Sequence, residues 1–195
     1  MTYSIIGSGN VGTALARQFT RSGISVNIAN SRGPATLSAL ASELGRNVTA
    51  VSLEDALKAD VIILAVPFMA HPAIAAAAPD WAGKIVVDAM NTYGVPPELL
   101  AGKASSDIVA SAFKGADVVK TLNQLPAKLL ASDPLEGGGR RVMFVAGNDA
   151  GAIVAIVELV ANLGFAPLTL GKLNEGGVLL EKGGPLVLQN LIKLN

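Results

Sequence analysis

Apolar residues recur along this chain in two alternating rhythms, and their alternation points to a class of fold. Ile5 and Ile6 close a first short strand that begins almost at Met1. Val11, Ala14, Leu15 and Phe19 then fall on one face of a helix predicted from Asn10 to Ser22, with Gly23 as its left-handed cap. Ile24, Val26 and Ile28 return at every second position and predict strand two. Leu37, Leu40, Ala41 and Leu44 sit at i, i+3, i+4 and i+7 of a second helix, with Pro34 at its first position and Gly45 after it. Asn47 to Val51 reads as a short third strand, and Ser52 with Asp55 as a capping box for a brief helix. Val61 to Val66 is apolar on both faces, as a central parallel strand must be; Pro67 ends it. An Ala-rich helix is predicted up to Pro79, then strands over Ile85–Asn91 and Val118–Asn123.

Past Gln124 the texture changes. Pro126, Pro134 and Gly137-Gly138-Gly139 mark a loop-rich section. Arg141 to Val145 predicts a strand, and Gly147-Asn148-Asp149 opens a helix that stops before Gly164. Phe165 to Leu170 reads as another strand, and an apolar helix is predicted from Gly183-Gly184-Pro185 to Leu194. No internal repeat or independent linker is present. The expectation is an α/β fold: a Rossmann-type, doubly wound, mostly parallel sheet with a small C-terminal α/β extension. Residues 1–195 form a single domain in this reading, with 124–195 as the extension.

Composition narrows the function. A net charge of zero with 15% charged residues argues against a nucleic-acid partner. The absence of cysteine excludes disulfides, a thiol nucleophile and thiolate metal sites, and no metal is expected. The longest strongly apolar run is too short to cross a bilayer and no signal peptide is visible, so a cytoplasmic protein without a membrane partner is expected. The tail from Val178 to Leu194 is mostly apolar, with Glu181, Lys182 and Lys193 its only charges. With 51% hydrophobic residues overall, this predicts a homodimer joined through the extension.

The chemistry is written between the first strand and the second. In Gly7-Ser8-Gly9-Asn10-Val11-Gly12, Gly7 permits the tight turn, Gly9 lets backbone approach a pyrophosphate, and Gly12 lets the helix lie close to the strand. The helix N-terminus then faces the phosphates. An NAD site usually carries Asp or Glu about 20 residues on, at the ribose 2′-hydroxyl. Here Asn30, Ser31 and Arg32 stand in that place, and the first acid of the chain is Glu43. A carboxylate would repel a 2′-phosphate, whereas Arg and Ser donate to one, so NADP(H) is the expected cofactor. Ketone reduction usually needs a placed proton donor. The chain has one His and two Tyr, and neither Tyr3 nor Tyr93 has a Lys four residues later. Hydride transfer between two stacked redox rings needs little more than positioning, so the second substrate is expected to be such a ring. His71, just past the end of a strand, is the one catalytic candidate; its other reading is a helix-start histidine, exposed or bonded to backbone. Asp88 lies inside a strand. Arg140 and Arg141 fit either an acidic cofactor tail or a charged strand edge.

The motifs together resemble the NADPH-dependent coenzyme F420 reductase family, the NADP:F420 oxidoreductases and their bacterial relatives. The resemblance runs through Gly7-Ser8-Gly9-Asn10-Val11-Gly12, Asn30-Ser31-Arg32-Gly33-Pro34, Ala65-Val66-Pro67, Leu122-Asn123-Gln124-Leu125-Pro126 and Gly183-Gly184-Pro185-Leu186. It implies dimerisation and hydride transfer between NADP(H) and a deazaflavin, coenzyme F420, or a flavin. Thr36 departs from the pattern, since archaeal members carry a basic residue there. The cytosolic domains of membrane ferric reductases look related. The expected cofactor contacts are Gly7, Ser8, Gly9, Asn10, Val11, Gly12, Asn30, Ser31, Arg32, Ala65, Val66, Pro67, Met90 and Asn91; Phe68 and Asn123 are expected at the second substrate. The alternatives are a non-catalytic NADP(H) sensor and a small imine or carbonyl reductase.

Overall fold

The computed structural model describes residues 1–194. Its centre is a 10-stranded sheet. β1 (Tyr3–Ile6), β2 (Val26–Ala29), β3 (Val48–Ala50), β4 (Val61–Leu64), β5 (Ile85–Asp88) and β6 (Asp117–Lys120) run parallel in the order β3-β2-β1-β4-β5-β6. This is the doubly wound order, whose reversal between β1 and β4 opens a crevice at the carboxyl ends of those strands. Alternate residues of each central strand enter opposite cores. Ile5, Ile63, Val87 and Val119 pack with α1 (Asn10–Arg21) and α7 (Ala150–Asn162). Ile6, Ile62, Val86 and Val118 pack against the other helical layer, made of α3 (Leu53–Ala56), α4 (His71–Ala75) and α5 (Ser105–Ala112). Two covered faces explain why β4 shows no polar alternation.

The C-terminal part continues the same sheet. β8 (Gly139–Gly147) runs antiparallel to β6 but meets it only at Val119–Gly147 and Lys120–Ala146. Its other neighbours are β7 (Leu135–Glu136), β9 (Ala166–Thr169) and β10 (Ile192–Leu194). Past β6 the backbone leaves the ladder and side chains replace it. Thr121 Oγ1 donates to the Phe144 carbonyl at 2.6 Å. The buried Gln124 amide accepts from Phe144 N–H at 2.8 Å and donates to the Val142 carbonyl at 3.1 Å, so one side chain pairs as a peptide would.

Several expected boundaries move. The predicted helix from Gly183 to Leu194 is absent: turns and the edge strand β10 take its place, because β8 offers an open ladder and the Gly-Gly-Pro turn redirects the chain. The Ala-rich helix stops at Ala75 instead of running to Pro79, and a 3₁₀ turn precedes it at Phe68–Ala70. The second helix begins as a 3₁₀ turn, Pro34–Leu37, before α2 (Ser38–Leu44). α5 and α6 (Ala127–Leu130) were not anticipated.

Candidate nucleotide site

The β1–α1 turn shows why its glycines differ in kind. Gly7 has φ +114°, and a Cβ there would lie 2.2 Å from the Ala65 carbonyl oxygen. A Cβ on Gly12 would lie 2.0 Å from the Gly7 carbonyl oxygen. Both glycines are therefore demanded by the protein's own packing. Gly9 is not: its backbone is extended (φ −76°, ψ −169°), and a Cβ there would meet nothing within 4 Å. It is the N-cap of α1, which has no side-chain cap and no acid in its first turn. Orphan N–H groups and an unopposed positive dipole end thus surround an open space, the environment an anionic pyrophosphate takes.

Asn30 builds the next segment. Its Nδ2 donates to Ser8 Oγ and to Thr36 Oγ1, both at 3.1 Å, and its Oδ1 accepts from Arg32 N–H at 2.9 Å. The side chain ties the glycine turn to an Asx turn that presents Ser31 and Arg32 to solvent. Thr36, the departure from the family pattern, completes this knot through the Gly33 carbonyl at 2.8 Å. No acid pairs with Arg32 among the described residues.

Two cavities at the carboxyl ends of the strands meet at this turn. One, about 610 Å³, is lined by Gly7, Ser8, Gly9, Asn30, Ser31 and Arg32, with Leu53, Ala73 and Ile74 as apolar walls. The other, about 430 Å³, is lined by Asn10, Val11, Met90, Asn91, Asn123 and Leu125. Gly9, Ala65, Val66 and Pro67 border both. The second cavity carries a fixed amide pair. Asn91 Nδ2 donates to the Asn123 carbonyl at 2.9 Å; Asn123 Nδ2 donates to Asn91 Oδ1 at 3.0 Å and to the Leu180 carbonyl at 2.6 Å. The backbone carbonyls set both amide orientations, since a carbonyl only accepts. Asn123 Oδ1 is left buried without a partner among the described residues. Leu122, just before it, holds φ +63°, a costly conformation for leucine.

Residues 2–92 match the family described as NADP oxidoreductase, coenzyme F420-dependent. This stretch, just under half of the chain, is similar to that family. The family is one of NADP-dependent oxidoreductases, and residues 2–92 include the glycine turn, the Asn30–Arg32 segment and Met90–Asn91. A hypothetical protein, SMa0349, from Sinorhizobium meliloti has the same fold (TM-score 0.95) at 48% identity, over 99% of this chain and 96% of that one. A candidate F420-dependent NADP reductase from Arthrobacter sp. FB24 superposes with TM-score 0.75 at 29% identity, over 92% of this chain and 90% of that one. Metalloreductase STEAP3 of Rattus norvegicus is 30% identical over 87% of this chain but 33% of its own length. The chain spans about a third of the length of the curated relatives it matches. Among the described residues, no helix is long and apolar enough to cross a membrane.

Not every expected site residue reaches the cavities. Phe68, expected at the second substrate, is buried in the core beside α4 and lines neither one. His71 is 4% exposed and takes the backbone-bonded form of the helix-start reading, not the solvent-exposed one: its Nδ1 donates to the Phe68 carbonyl at 2.6 Å and its ring packs on Phe68. The neighbouring Ala70 and Ala73 line the larger cavity instead. Arg141 is buried on Glu136 (2.9 Å) and Asn190 (2.5 Å), away from both cavities, and so neither a ligand arm nor an exposed strand edge. Conversely, Tyr93 and Leu188 enter the smaller cavity's lining, 57% and 60% exposed. Tyr93 follows a strand end and was legible in principle. Leu188 was not: it arrives because its N–H donates to the Gln124 carbonyl at 2.7 Å.

Proposed function

We propose that this chain is an enzyme that binds NADP(H) along the groove formed by the two cavities, and exchanges hydride with a deazaflavin (coenzyme F420) or flavin ring. The observation that carries the reading is the shared border at Gly9 and Ala65–Pro67. It gives a dinucleotide room on both sides of an anion-binding turn. The residues present fit the cofactor. Gly9 and the first N–H groups of α1 hold the pyrophosphate. Ser31 and Arg32 hold the 2′-phosphate. Asn123 Oδ1, which accepts no hydrogen bond among the described residues, suits the N–H of the nicotinamide carboxamide. When bound, NADP(H) supplies the hydride. The protein's part is to orient and to exclude water: Val66, Pro67, Leu125 and Leu188 are apolar walls, and Tyr93 offers a ring face at the rim.

One observation favours a second reading, reduction of an imine or carbonyl. Tyr93 is the one side chain with a titratable proton among the described residues lining the smaller cavity. No Lys follows Tyr93 by four residues, but Lys182 Nζ stands 5.8 Å from the Tyr93 ring centroid. Stopped-flow oxidation of NADPH by coenzyme F420, FMN, imines and ketones, with wild type and Tyr93→Phe, separates the readings. Phe keeps the ring, so ring-to-ring transfer holds within about twofold. Loss of a proton donor lowers the rate about 100-fold or more. NADPH binding without turnover of any acceptor would favour a sensor.

We also propose that the extension forms a homodimer interface. β10 ends the sheet, and Leu191 and Leu194 on it and beside it are exposed. Sedimentation of wild type and of Leu191→Asp/Leu194→Asp tests this; a monomeric wild type at high micromolar concentration refutes it.

A further inference from the structure

Asp88 and Lys120 end neighbouring strands with opposite charges where water does not reach. They are register partners at the carboxyl ends of β5 and β6, and their side chains are 0% and 1% exposed. Lys120 Nζ lies 3.1 Å from Asp88 Oδ2, which also accepts from Ser106 Oγ at 2.8 Å. Both charges grip a single residue. Met90 N–H donates to Asp88 Oδ1 at 3.0 Å, and Lys120 Nζ donates to the Met90 carbonyl at 2.6 Å.

Such a pair is a poor way to gain stability. Desolvating two charges costs as much as their attraction returns, and apolar side chains of similar volume often hold a core as well or better. The β5–β6 ladder already joins these strands. The Met90 peptide lies just beyond that ladder, so apolar substitutes would leave its N–H and carbonyl without partners. Met90 and Asn91 are wall residues of the smaller cavity. Ser106 anchors the pair to the first turn of α5, where Glu181 Oε1 accepts from Ser105 N–H and, at 2.9 Å, from Ser105 Oγ. Next to Glu181, the Leu180 carbonyl holds Asn123 in the facing wall. The buried charges and the amide pair thus share anchors in the C-terminal extension.

We propose that Asp88 and Lys120 are positioning residues that fix the Met90–Asn91 wall against the nicotinamide end of the cofactor. This rests on the reading that the chain binds NADP(H). The test compares NADPH with 2′-phospho-ADP-ribose, which has the adenosine half and pyrophosphate but no nicotinamide. Asp88→Asn/Lys120→Met leaves no buried charge; Ser106→Ala keeps both charges and removes one bond to Asp88. In the double variant the fragment should bind within about twofold of wild type, while NADPH weakens about tenfold, the equivalent of one charge-assisted hydrogen bond. Ser106→Ala should shift the NADPH-to-fragment ratio in the same direction by about two- to threefold, since Asp88 loses one of its bonds but keeps those to Lys120 and Met90. A merely structural role moves both ligands together or neither. An unchanged ratio in the folded double variant overturns the proposal; if that variant does not fold, an unchanged ratio in Ser106→Ala overturns it. Failure of wild type to bind NADPH overturns the cofactor reading itself, and the positioning role with it.

Discussion

Gly9→Val separates what the glycine turn does for the protein from what it does for a ligand. A Cβ at position 9 has no protein atom within 4 Å, and the extended backbone there suits a β-branched residue. The fold loses only a good N-cap, about 0.5–1 kcal/mol, and reduced freedom of the unfolded chain offsets about as much. The net effect is near zero, so Tm should move by no more than about 2–4 °C, the shift expected per kcal/mol in a chain of this size. Binding should respond quite differently. The side chain occupies the space before the α1 N-terminus, where the pyrophosphate would accept charge-assisted bonds of about 1.5–3 kcal/mol each. Loss of two such bonds weakens NADPH roughly 10²- to 10⁴-fold. Calorimetric titration beside a thermal melt measures both quantities. Gly12→Ala is the contrast: its Cβ would overlap the Gly7 carbonyl, so it should destabilise by about 1–3 kcal/mol or more through overpacking. A folded Gly9→Val protein with wild-type NADPH affinity would refute the reasoning.

Arg32→Ala should weaken NADPH about 10- to 100-fold and leave NADH nearly unchanged, because only the 2′-phosphate contact is lost; equal loss for both cofactors, by titration, would place Arg32 elsewhere. His71→Ala should cost about 1–3 kcal/mol by unpairing the Phe68 carbonyl and opening a gap beside its ring, yet keep NADPH oxidation within about threefold, since general acid–base roles are worth about 100-fold or more. Asp60 accepts from Thr2 N–H and Oγ1, and these bonds hold its carboxyl below the usual carboxylate range. The stability it contributes is therefore present above about pH 4 and is lost as pH falls through its lower folded value. Asp60→Asn should lower Tm at pH 7 and flatten the fall in Tm below pH 4; an unchanged Tm-against-pH curve would contradict this.

The parts of the site that were legible in the sequence are those whose requirements are local. The glycine turn and the Asn30–Arg32 segment each need particular residue types within a few positions, and the core strands need apolar residues on both faces. Strand ends were less legible. Met90–Asn91 and Leu122–Gln124 continue the apolar rhythm of β5 and β6, yet they leave the ladder because side chains of Asp88, Lys120, Asn91 and Gln124 take over its hydrogen bonds. No spacing rule reveals that a glutamine amide will pair like a peptide. The tail misled for a related reason: an apolar stretch serves a helix or an edge strand equally well, and the open ladder of β8 decides between them. Leu180 and Leu188 reach the site only through bonds from Asn123 and to Gln124 that span most of the C-terminal part.

A border common to two cavities makes a dinucleotide a bivalent ligand. Each half alone would have to find its own pocket, whereas the pyrophosphate link presents the second half at an effective concentration in the millimolar range, with a gain of about 10²–10⁴ over either half. That gain depends on one short stretch of backbone, Gly9 together with Ala65–Pro67, keeping the pockets at a fixed separation. The contacts of Gly7 with the Ala65 carbonyl and of Gly12 with Gly7 make that spacing stiff. The close packing of these glycines is thus what turns two shallow recesses into a single high-avidity site, and cleaving the link should weaken the complex more than deleting any one contact.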